Sequence, residues 1–369
     1  MTSVIEPSTT PVRLRPEIAA LPAYKQGKPA VVGGHKLSSN ENPYPPLPGL
    51  LAAIMAADAV NRYPDAAATE LRAALAARHG VSTDEVHVGA GSVSILSQLI
   101  TAAAGHGDEV VYAWRAFEAY PGLVTVAGAD SVRVPLRADG SHDLDAMADA
   151  VTSRTRAVLV CSPNNPTGVV VSRDAFVRFM GRVPSDLLVL LDEAYVEFIR
   201  NSDAVNGREL LGRYPNLVIL RTFSKAWGLA GVRLGYAIGP AVILDAARAT
   251  AIPLSVTAAA QAAGLAALEH EKVLLERVDD IVRRRVTVVN RLRELGLAIP
   301  ESEGNFIWLP LGDETDTAAT ILERHSIVAR VFSGDGIRVS IGEQESVEGL
   351  LSAAEEIVRN LPKTVGAAG

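Results

Sequence analysis

Short apolar stretches alternate with helical stretches along much of this chain, and this alternation constrains the fold more than any other feature of the sequence. Continuous or alternating apolar stretches are typical of strands, and stretches with a period near 3.6 residues are typical of helices. The strand candidates are residues 84–89, 109–113, 131–135, 156–161, 186–192 and 216–221, and the helix candidates between them are residues 92–104, 116–128, 143–151 and 172–180. The pattern predicts an α/β fold with a three-layer α/β/α domain, in which helices cover both faces of a mostly parallel sheet.

The pattern changes after about residue 253, which predicts a second, smaller α+β domain. Two long amphipathic helices are followed by short strand candidates, at residues 257–270 and 271–295 for the helices and 305–309, 326–331 and 337–341 for the strands. We expect the Pro-rich segment 37–48 to pack against this unit, so that both chain ends build the small domain. The predicted division is residues 1–47 for the N-terminal arm and part of the small domain, 48–270 for the large domain, and 271–369 for the rest of the small domain.

Composition excludes several classes of protein. The chain has 369 residues, 48% of them hydrophobic and 21% charged, which is typical of a soluble globular protein. Its net charge of -7 argues against nucleic acid or an anionic membrane as the main partner. The single cysteine, Cys161, excludes an intrachain disulfide framework and fits a reducing compartment. With no apolar core of a signal peptide in residues 1–17 and no metal-ligand spacing among the histidines, we expect a cytoplasmic protein without a metal site.

One lysine lies where the buried strand 216–221 emerges from the predicted sheet. Lys225 ends a small polar cluster there, and a glycine-rich turn follows it. Ligands bind at the carboxyl ends of strands in open α/β sheets. A partly desolvated lysine near other cations has a lowered pKa and can form a Schiff base with a carbonyl compound. Ser224 and Arg233 beside it supply a hydroxyl and a guanidinium, which suit a phosphate monoester.

Two neighbouring strands also end in polar side chains. Strand 156–161 leads into a turn whose two prolines fix the direction of Asn165, and strand 186–192 ends in Asp192, with Tyr195 three residues later. Because carboxyl ends of parallel strands meet at one edge of a sheet, we expect an amide, a carboxylate, a phenol and an amine to share one site.

The loop at residues 89–94 precedes a predicted helix and contains Gly91 and Ser92. It resembles a dinucleotide-binding loop only superficially, because Ser94 stands where the third glycine belongs. Free N–H groups at a helix N-terminus nevertheless bind anions well. The loop therefore predicts a phosphate site rather than an NAD site.

Taken together, these motifs resemble the fold-type I, pyridoxal-phosphate-dependent aminotransferases, and within them the histidinol-phosphate and aromatic amino acid aminotransferase branch. The resemblance covers nearly the whole chain. Its motifs are Ser39–Pro43, Asn61–Asp65, Ser162–Gly168, Asp192–Tyr195, Thr222–Lys225 and Gly336–Gly342.

The resemblance implies a pyridoxal 5'-phosphate cofactor and a role for each polar group. Lys225 would hold the aldehyde of the cofactor covalently and move the proton during the reaction. Asp192 would keep the pyridine nitrogen protonated, and Asn165 and Tyr195 would hydrogen-bond the ring oxygen, with Asn165 also near the substrate.

The resemblance also assigns residues to the phosphate, the ring and the substrate. Tyr63 of a partner subunit would join the phosphate site, so a homodimer is implied, and Trp114 would stack on the ring. Arg338 would bind the substrate α-carboxylate, and Tyr24 of the N-terminal arm would fold over the substrate. The phosphate would be held by Gly91, Ser92, Ser224 and Arg233.

The sequence leaves two classes of preferred substrate open, aromatic amino acids and histidinol phosphate. Histidinol-phosphate enzymes of this branch commonly carry an acidic pair where this chain has Val93 and Ser94. This departure favours phenylalanine, tyrosine and tryptophan, with 2-oxoglutarate and glutamate as the partner pair, while Arg330 could still meet a phosphate or a distal carboxylate. A related decarboxylase would share the cofactor contacts. A cofactor-binding regulator usually carries an added DNA-binding domain, and no basic helix-turn-helix segment is visible in these 369 residues.

Overall fold

The computed structural model describes residues 12–23 and 33–360, and these form a mixed α/β fold with two sheets. In chain order the strands are β1 His35–Leu37, β2 Val86–Gly89, β3 Glu109–Trp114, β4 Asp130–Pro135, β5 Thr155–Cys161, β6 Leu188–Asp192, β7 Leu217–Thr222, β8 Gly235–Ile238, β9 Phe306–Leu309, β10 Ile327–Phe332 and β11 Gly336–Ser340. The helices are α1 Pro16–Ala19, α2 Pro48–Ala56, α3 Thr69–His79, α4 Ser92–Ala103, α5 Tyr120–Ala127, α6 Leu144–Asp149, α7 Arg173–Arg182, α8 Ala241–Ala249, α9 Ala258–Glu269, α10 Glu271–Glu294, α11 Thr315–Arg324 and α12 Ser346–Asn360.

The larger sheet has seven strands in the order β2-β8-β7-β6-β5-β3-β4. Strand β8 runs antiparallel to both of its neighbours, and the other pairs are parallel. The prediction of a mostly parallel sheet is confirmed, but β8 was not predicted. It has only four residues, one of them glycine, so it gives almost no periodic signal.

Helices cover both faces of this sheet, because successive side chains of a strand point to opposite faces. Leu159 of β5 packs with apolar residues of α4, α5 and α8. Its neighbours Val158 and Val160 pack on the other face with α6 and α7. The central strands are therefore buried along their whole length, which explains their continuous apolar sequence.

The predicted helix 116–128 is shorter in the structure, where α5 begins at Tyr120. Pro121 lies in the first turn, where its missing N–H leaves no helix hydrogen bond unmade. The preceding residues, which include Phe117 and Glu118, form a loop that reaches the cavity described below.

The smaller sheet combines strands from both ends of the chain, in the order β1-β10-β11-β9. His35–Leu37 pairs in parallel with Ile327–Ala329, and the other pairs are antiparallel. The expectation of a small domain built from both chain ends is confirmed, while its boundaries at residues 47 and 270 stay a prediction. Within residues 12–23 and 33–360, no helix combines the length and the apolar character that crossing a bilayer requires.

Candidate active site

A cavity of about 1020 Å³ lies at the carboxyl ends of β5, β6 and β7 and is closed on one side by the small sheet. Asn165 follows β5, Asp192 ends β6 and Lys225 follows β7, and all three line the cavity. The small sheet contributes Arg338 from β11. The predicted convergence of an amide, a carboxylate and an amine at one sheet edge is therefore present in the structure.

The amine of Lys225 lies in this cavity with a lowered pKa. Its Nζ atom donates hydrogen bonds to the backbone carbonyl oxygens of Ser39 and Asn40, both at 3.1 Å. Burial, followed by the nearby charge of Arg338, lowers the pKa of Lys225 to about 7. Only the neutral amine is a nucleophile. Near neutral pH a large share of the molecules therefore carries a reactive amine.

Asp192 is a buried carboxylate, only 5% exposed. Its Oδ2 atom accepts a hydrogen bond of 2.9 Å from the hydroxyl of Tyr120, and Oδ1 accepts one of 3.3 Å from the N–H of Ala194. Burial outweighs both bonds and raises the pKa of Asp192 to about 6. Within the described part of the chain, no cation is among the groups that shift this pKa. A cationic ligand nitrogen beside Asp192 would lower this pKa and stabilise the ionised carboxylate.

The phenol of Tyr195 is fixed by Asn40, a residue without an assigned role in the sequence motifs. The Nδ2 atom of Asn40 donates a hydrogen bond of 3.0 Å to the Tyr195 oxygen. The Asn40 amide is itself oriented by Ser340 of β11, whose hydroxyl donates to Oδ1 at 3.0 Å. Because the Tyr195 oxygen already accepts a bond, its own proton can be donated into the cavity. Burial raises the pKa of Tyr195 above its ordinary range, so it keeps this proton.

A cradle for an anion lies where α4 begins. Helix α4 starts at Ser92 without a side-chain cap, so its first N–H groups are available. Arg233 donates to the Ser224 hydroxyl at 3.2 Å, and both line the cavity together with Ser92. A Cβ atom on Gly91 would lie 2.4 Å from Nη2 of Arg233, and one on Gly235 would lie 2.3 Å from the backbone nitrogen of Ser92. Glycine at both positions lets the guanidinium and the helix start approach each other, and the donors suit a phosphate.

Two arginines lie opposite each other in the antiparallel pair of β10 and β11. Arg338 is 7% exposed and donates to Oδ1 of Asn165 at 2.7 Å and to the carbonyl oxygen of Ser38 at 2.6 Å. Arg330, its cross-strand partner, forms an ion pair with Glu118 at 2.8 Å. All three charged residues line the cavity.

Two described residues that were assigned by resemblance do not line this cavity, and a third lies outside the described residues. The guanidinium groups of Arg115 and Arg133 both lie over the ring of Trp114, with their Cζ atoms 4.8 and 4.9 Å from its centroid. Trp114 is not among the described residues that line the cavity. Tyr63 is 85% exposed. Tyr24 lies outside the described residues. Ring stacking by Trp114, the role of Tyr63 in a second subunit and that of Tyr24 stay predictions.

Sequence reasoning missed Asn40, Glu118 and Tyr120. Asn40 lies inside the motif Ser39–Pro43, which pointed to a functional role for this segment. Its partner Ser340 is 300 residues away, so the sequence does not indicate the contact. Tyr120 and Glu118 follow β3 in a stretch predicted as helix. A phenol and a carboxylate on a predicted helix do not by themselves indicate a functional site.

The fold and the cavity together bring a partly buried lysine, a buried carboxylate and a cradle suited to an anion into one site, as an enzyme of the α/β class would need. Residues 33–353 match the family model described as Aminotransferase class I and II, and the chain belongs to this family.

Individual relatives are similar over nearly the full chain. An aromatic amino acid aminotransferase from Streptomyces coelicolor is 50% identical over 358 residues, which cover 96% of this chain and 100% of the relative. A protein of the same name from Cutibacterium acnes is 47% identical and covers 94% of this chain and 98% of its own length. The solved structure of a histidinol-phosphate aminotransferase from Sinorhizobium meliloti, in complex with pyridoxal-5'-phosphate, is 28% identical with a TM-score of 0.86, covering 96% of this chain and 100% of that chain.

Proposed function

We propose that this aminotransferase uses pyridoxal 5'-phosphate to transfer the amino group of phenylalanine, tyrosine and tryptophan, with 2-oxoglutarate and glutamate as the partner pair. The observation that carries the proposal is the cavity, in which a lysine with a pKa of about 7 lies with a buried carboxylate that lacks a cation among the groups acting on its pKa. The cofactor is the one named in the structure of the Sinorhizobium relative.

The residues present fit this cofactor. When bound, pyridoxal phosphate supplies an aldehyde for the amino group and an electron-accepting ring. Ser92, Ser224 and Arg233 offer a dianionic phosphate the hydroxyl, guanidinium and helix N–H donors that it requires. The buried carboxylate of Asp192 would stabilise a protonated ring nitrogen, because a cation beside it would offset the burial that raises its pKa.

The proton in the reaction is moved by Lys225. A group with a pKa of about 7 can take a proton and return it at neutral pH with little free-energy cost in either direction. Tyr195, held by Asn40, donates its hydroxyl proton to an oxygen or nitrogen in the cavity.

Substrate binding falls to Arg338. Its planar guanidinium can hold a carboxylate through two parallel hydrogen bonds, and its low exposure strengthens them. The carbonyl oxygen of Ser38 and the amide of Asn165 fix its orientation. The side chain of a substrate held there contacts the remaining residues of the cavity wall.

The preference for aromatic side chains is supported by that wall and by the relatives. Apolar residues line the cavity from three parts of the chain, namely Leu21, Pro22, Val93, Phe117, Leu123 and Val126. Burying an aromatic ring against such a wall is favourable, whereas burying an unpaired phosphate is costly. Relatives whose sequences are 50% and 47% identical to this chain carry the name aromatic amino acid aminotransferase.

We further propose a homodimer in which Tyr63 completes the phosphate site of the partner. Exposed apolar side chains lie on α2 and just after it, among them Met55, Val60 and Tyr63. Several strongly exposed apolar side chains so close in sequence favour an interaction surface there. A cytoplasmic location, expected from the single cysteine, also stays a prediction.

The experiment is a comparison of amino donors with the purified, cofactor-loaded enzyme. Phenylalanine, tyrosine and histidinol phosphate are assayed with 2-oxoglutarate, and we expect kcat/KM to favour the aromatic donors by at least about tenfold. Lys225→Ala abolishes turnover, while Lys272→Ala, an exposed lysine at the start of α10, leaves it unchanged. A clear preference for histidinol phosphate would overturn the substrate assignment, and full turnover by Lys225→Ala would overturn the mechanism.

A further inference from the structure

The substrate cavity contains an arginine pair whose charge is partly taken up by a carboxylate. Arg330 and Arg338 are directly opposite each other in the β10–β11 ladder, and both line the cavity. Opposed residues in an antiparallel pair share one face of the sheet, so these two cations are close neighbours. Without compensation they would form a strong receptor for a second anionic group of a substrate.

Glu118 offsets the positive charge of Arg330 through several hydrogen bonds. Nη2 of Arg330 lies 2.8 Å from both carboxylate oxygens of Glu118, and Nε lies 3.0 Å from Oε2. The side chains are only 19% and 23% exposed for Glu118 and Arg330, so solvent screens the pair weakly. Contacts of this geometry are among the strong hydrogen bonds of proteins.

The other arginine has different neighbours. Two of the hydrogen bonds of Arg338 go to the neutral oxygens of Asn165 and Ser38, and these bonds orient its guanidinium. The two arginines therefore differ in what they can offer: Arg338 suits a substrate carboxylate, and Arg330 already holds one carboxylate from the protein itself.

We propose that Glu118 is a specificity-determining residue that excludes donors with a distal phosphate, and this inference rests on the proposed aminotransferase function. An aromatic side chain leaves the Glu118–Arg330 pair intact and packs against Phe117 and the other apolar wall residues. A phosphate monoester either lies beside the Glu118 carboxylate, which repels it, or must separate the ion pair. Both cost binding free energy that the aromatic donor does not lose.

A purely structural role for Glu118 would be to relieve repulsion between the two arginines. In that case loss of either partner should reduce activity with every donor to a similar degree. The specificity role predicts opposite shifts instead: removing Glu118 favours the phosphorylated donor, and removing Arg330 disfavours it further.

The test uses Glu118→Gln in the holoenzyme, a substitution that keeps the side-chain shape and removes its charge. The half-reaction is measured in single turnover with phenylalanine and with histidinol phosphate, so that the oxo acid does not enter the result. For each donor, the rate constant of the half-reaction is divided by the dissociation constant of that donor. We expect the ratio of these two values to shift at least about tenfold toward histidinol phosphate, because the variant binds that donor more tightly.

Three further variants make the result decisive. Arg330→Gln should shift the ratio toward phenylalanine, and the double variant Glu118→Gln/Arg330→Gln should lose the gain of Glu118→Gln. Glu301→Gln is the matched control, because Glu301 also pairs with an arginine, Arg293 at 2.9 Å, but is not among the described residues that line the cavity, and its donor ratio should not change.

The proposal is overturned if folded Glu118→Gln keeps the wild-type ratio, or if Glu118→Gln and Arg330→Gln shift the ratio in the same direction. Should Glu118→Gln fail to fold, the direction of the Arg330→Gln shift decides alone. A wild-type preference for histidinol phosphate would instead refute the proposed substrate, and the shift caused by Glu118→Gln would still be measurable.

Discussion

Asp192 is held in the cavity at a cost to the stability of the cofactor-free fold. Its pKa is raised to about 6, so the folded protein binds the proton more tightly than the unfolded chain, whose aspartates titrate near pH 4. Stability therefore falls as the pH rises from about 4 to about 6, and the whole penalty is present above pH 6. A protonated ring nitrogen beside the carboxylate would remove it.

We expect Asp192→Asn to stabilise the cofactor-free protein at pH 8 by about 2 kcal/mol, because the neutral amide avoids the buried charge. The same variant should lose most of its transaminase activity, since no carboxylate then stabilises the ring nitrogen. Urea unfolding at pH 8 and at pH 5 measures the first effect, which should be smaller at pH 5. An equal change in unfolding free energy at both pH values would contradict the electrostatic explanation.

Asn40 carries a strained backbone as well as a positioning amide. Its φ angle is 52°, in the left-handed region that asparagine and glycine tolerate better than other residues. We expect Asn40→Gly and Asn40→Ala to lower kcat by a similar factor of about ten, because both release the Tyr195 phenol.

The two variants should differ in stability. Asn40→Ala must adopt a left-handed conformation, so its fold should be about 1 kcal/mol less stable than that of Asn40→Gly. Steady-state kinetics and thermal unfolding separate the two effects. Wild-type kcat in Asn40→Gly would show that the amide does not position Tyr195.

Strand β8 matters to the site because it presses Gly235 against the first turn of α4. A methyl group there would meet backbone atoms of Ser92 and Gly91 at 2.3 and 2.8 Å, and backbone yields less readily than a side chain. We expect Gly235→Ala to cost about 1–3 kcal/mol of stability and to weaken cofactor binding at least about tenfold. Titration with the cofactor and unfolding of the cofactor-free protein measure the two losses.

Gly181 provides the matched control for that substitution. It lies in α7 with nothing within 4 Å of an added Cβ atom. Gly181→Ala should therefore leave cofactor affinity unchanged and stabilise the protein by roughly 0.5–1 kcal/mol through helix propensity. If both alanine variants bound cofactor as the wild type does, the close approach at Gly235 would not shape the cradle.

The elements that the sequence predicts well are those with a strong local pattern. The buried strands β5, β6 and β7 are continuous apolar stretches, and the polar residues that follow each of them meet in one cavity. Local chemistry also marks the helix starts, as when Ser172 caps α7 by accepting a bond from the N–H of Ala175.

What escaped prediction depends on contacts between distant segments. The pairing of Asn40 with Ser340 and of Glu118 with Arg330 joins positions 300 and 212 residues apart, and no periodic pattern records such pairs. The short strand β8 and the loop before α5 lack a period for a different reason, since each spans only a few residues.

At the scale of the whole molecule, the proposed dimer can be tested with mixed subunits. Lys225→Ala and Tyr63→Ala are each expected to be nearly inactive. When both are co-expressed, half of the dimers are mixed, and each mixed dimer has one site with neither lesion if Tyr63 acts across the interface. About a quarter of the wild-type activity should then return. No recovery in isolated mixed dimers would show that Tyr63 does not serve the partner subunit.

The parallel pairing of β1 with β10 has a consequence for how the protein is made. A strand at residues 35–37 is synthesised well before its neighbour at residues 327–329. The strands of the large sheet are all synthesised before β10, whereas β1 must wait for β10 before it can pair. A prematurely terminated product that lacks β10 and β11 therefore has no Arg338 and no Ser340, and it cannot work as a partial enzyme.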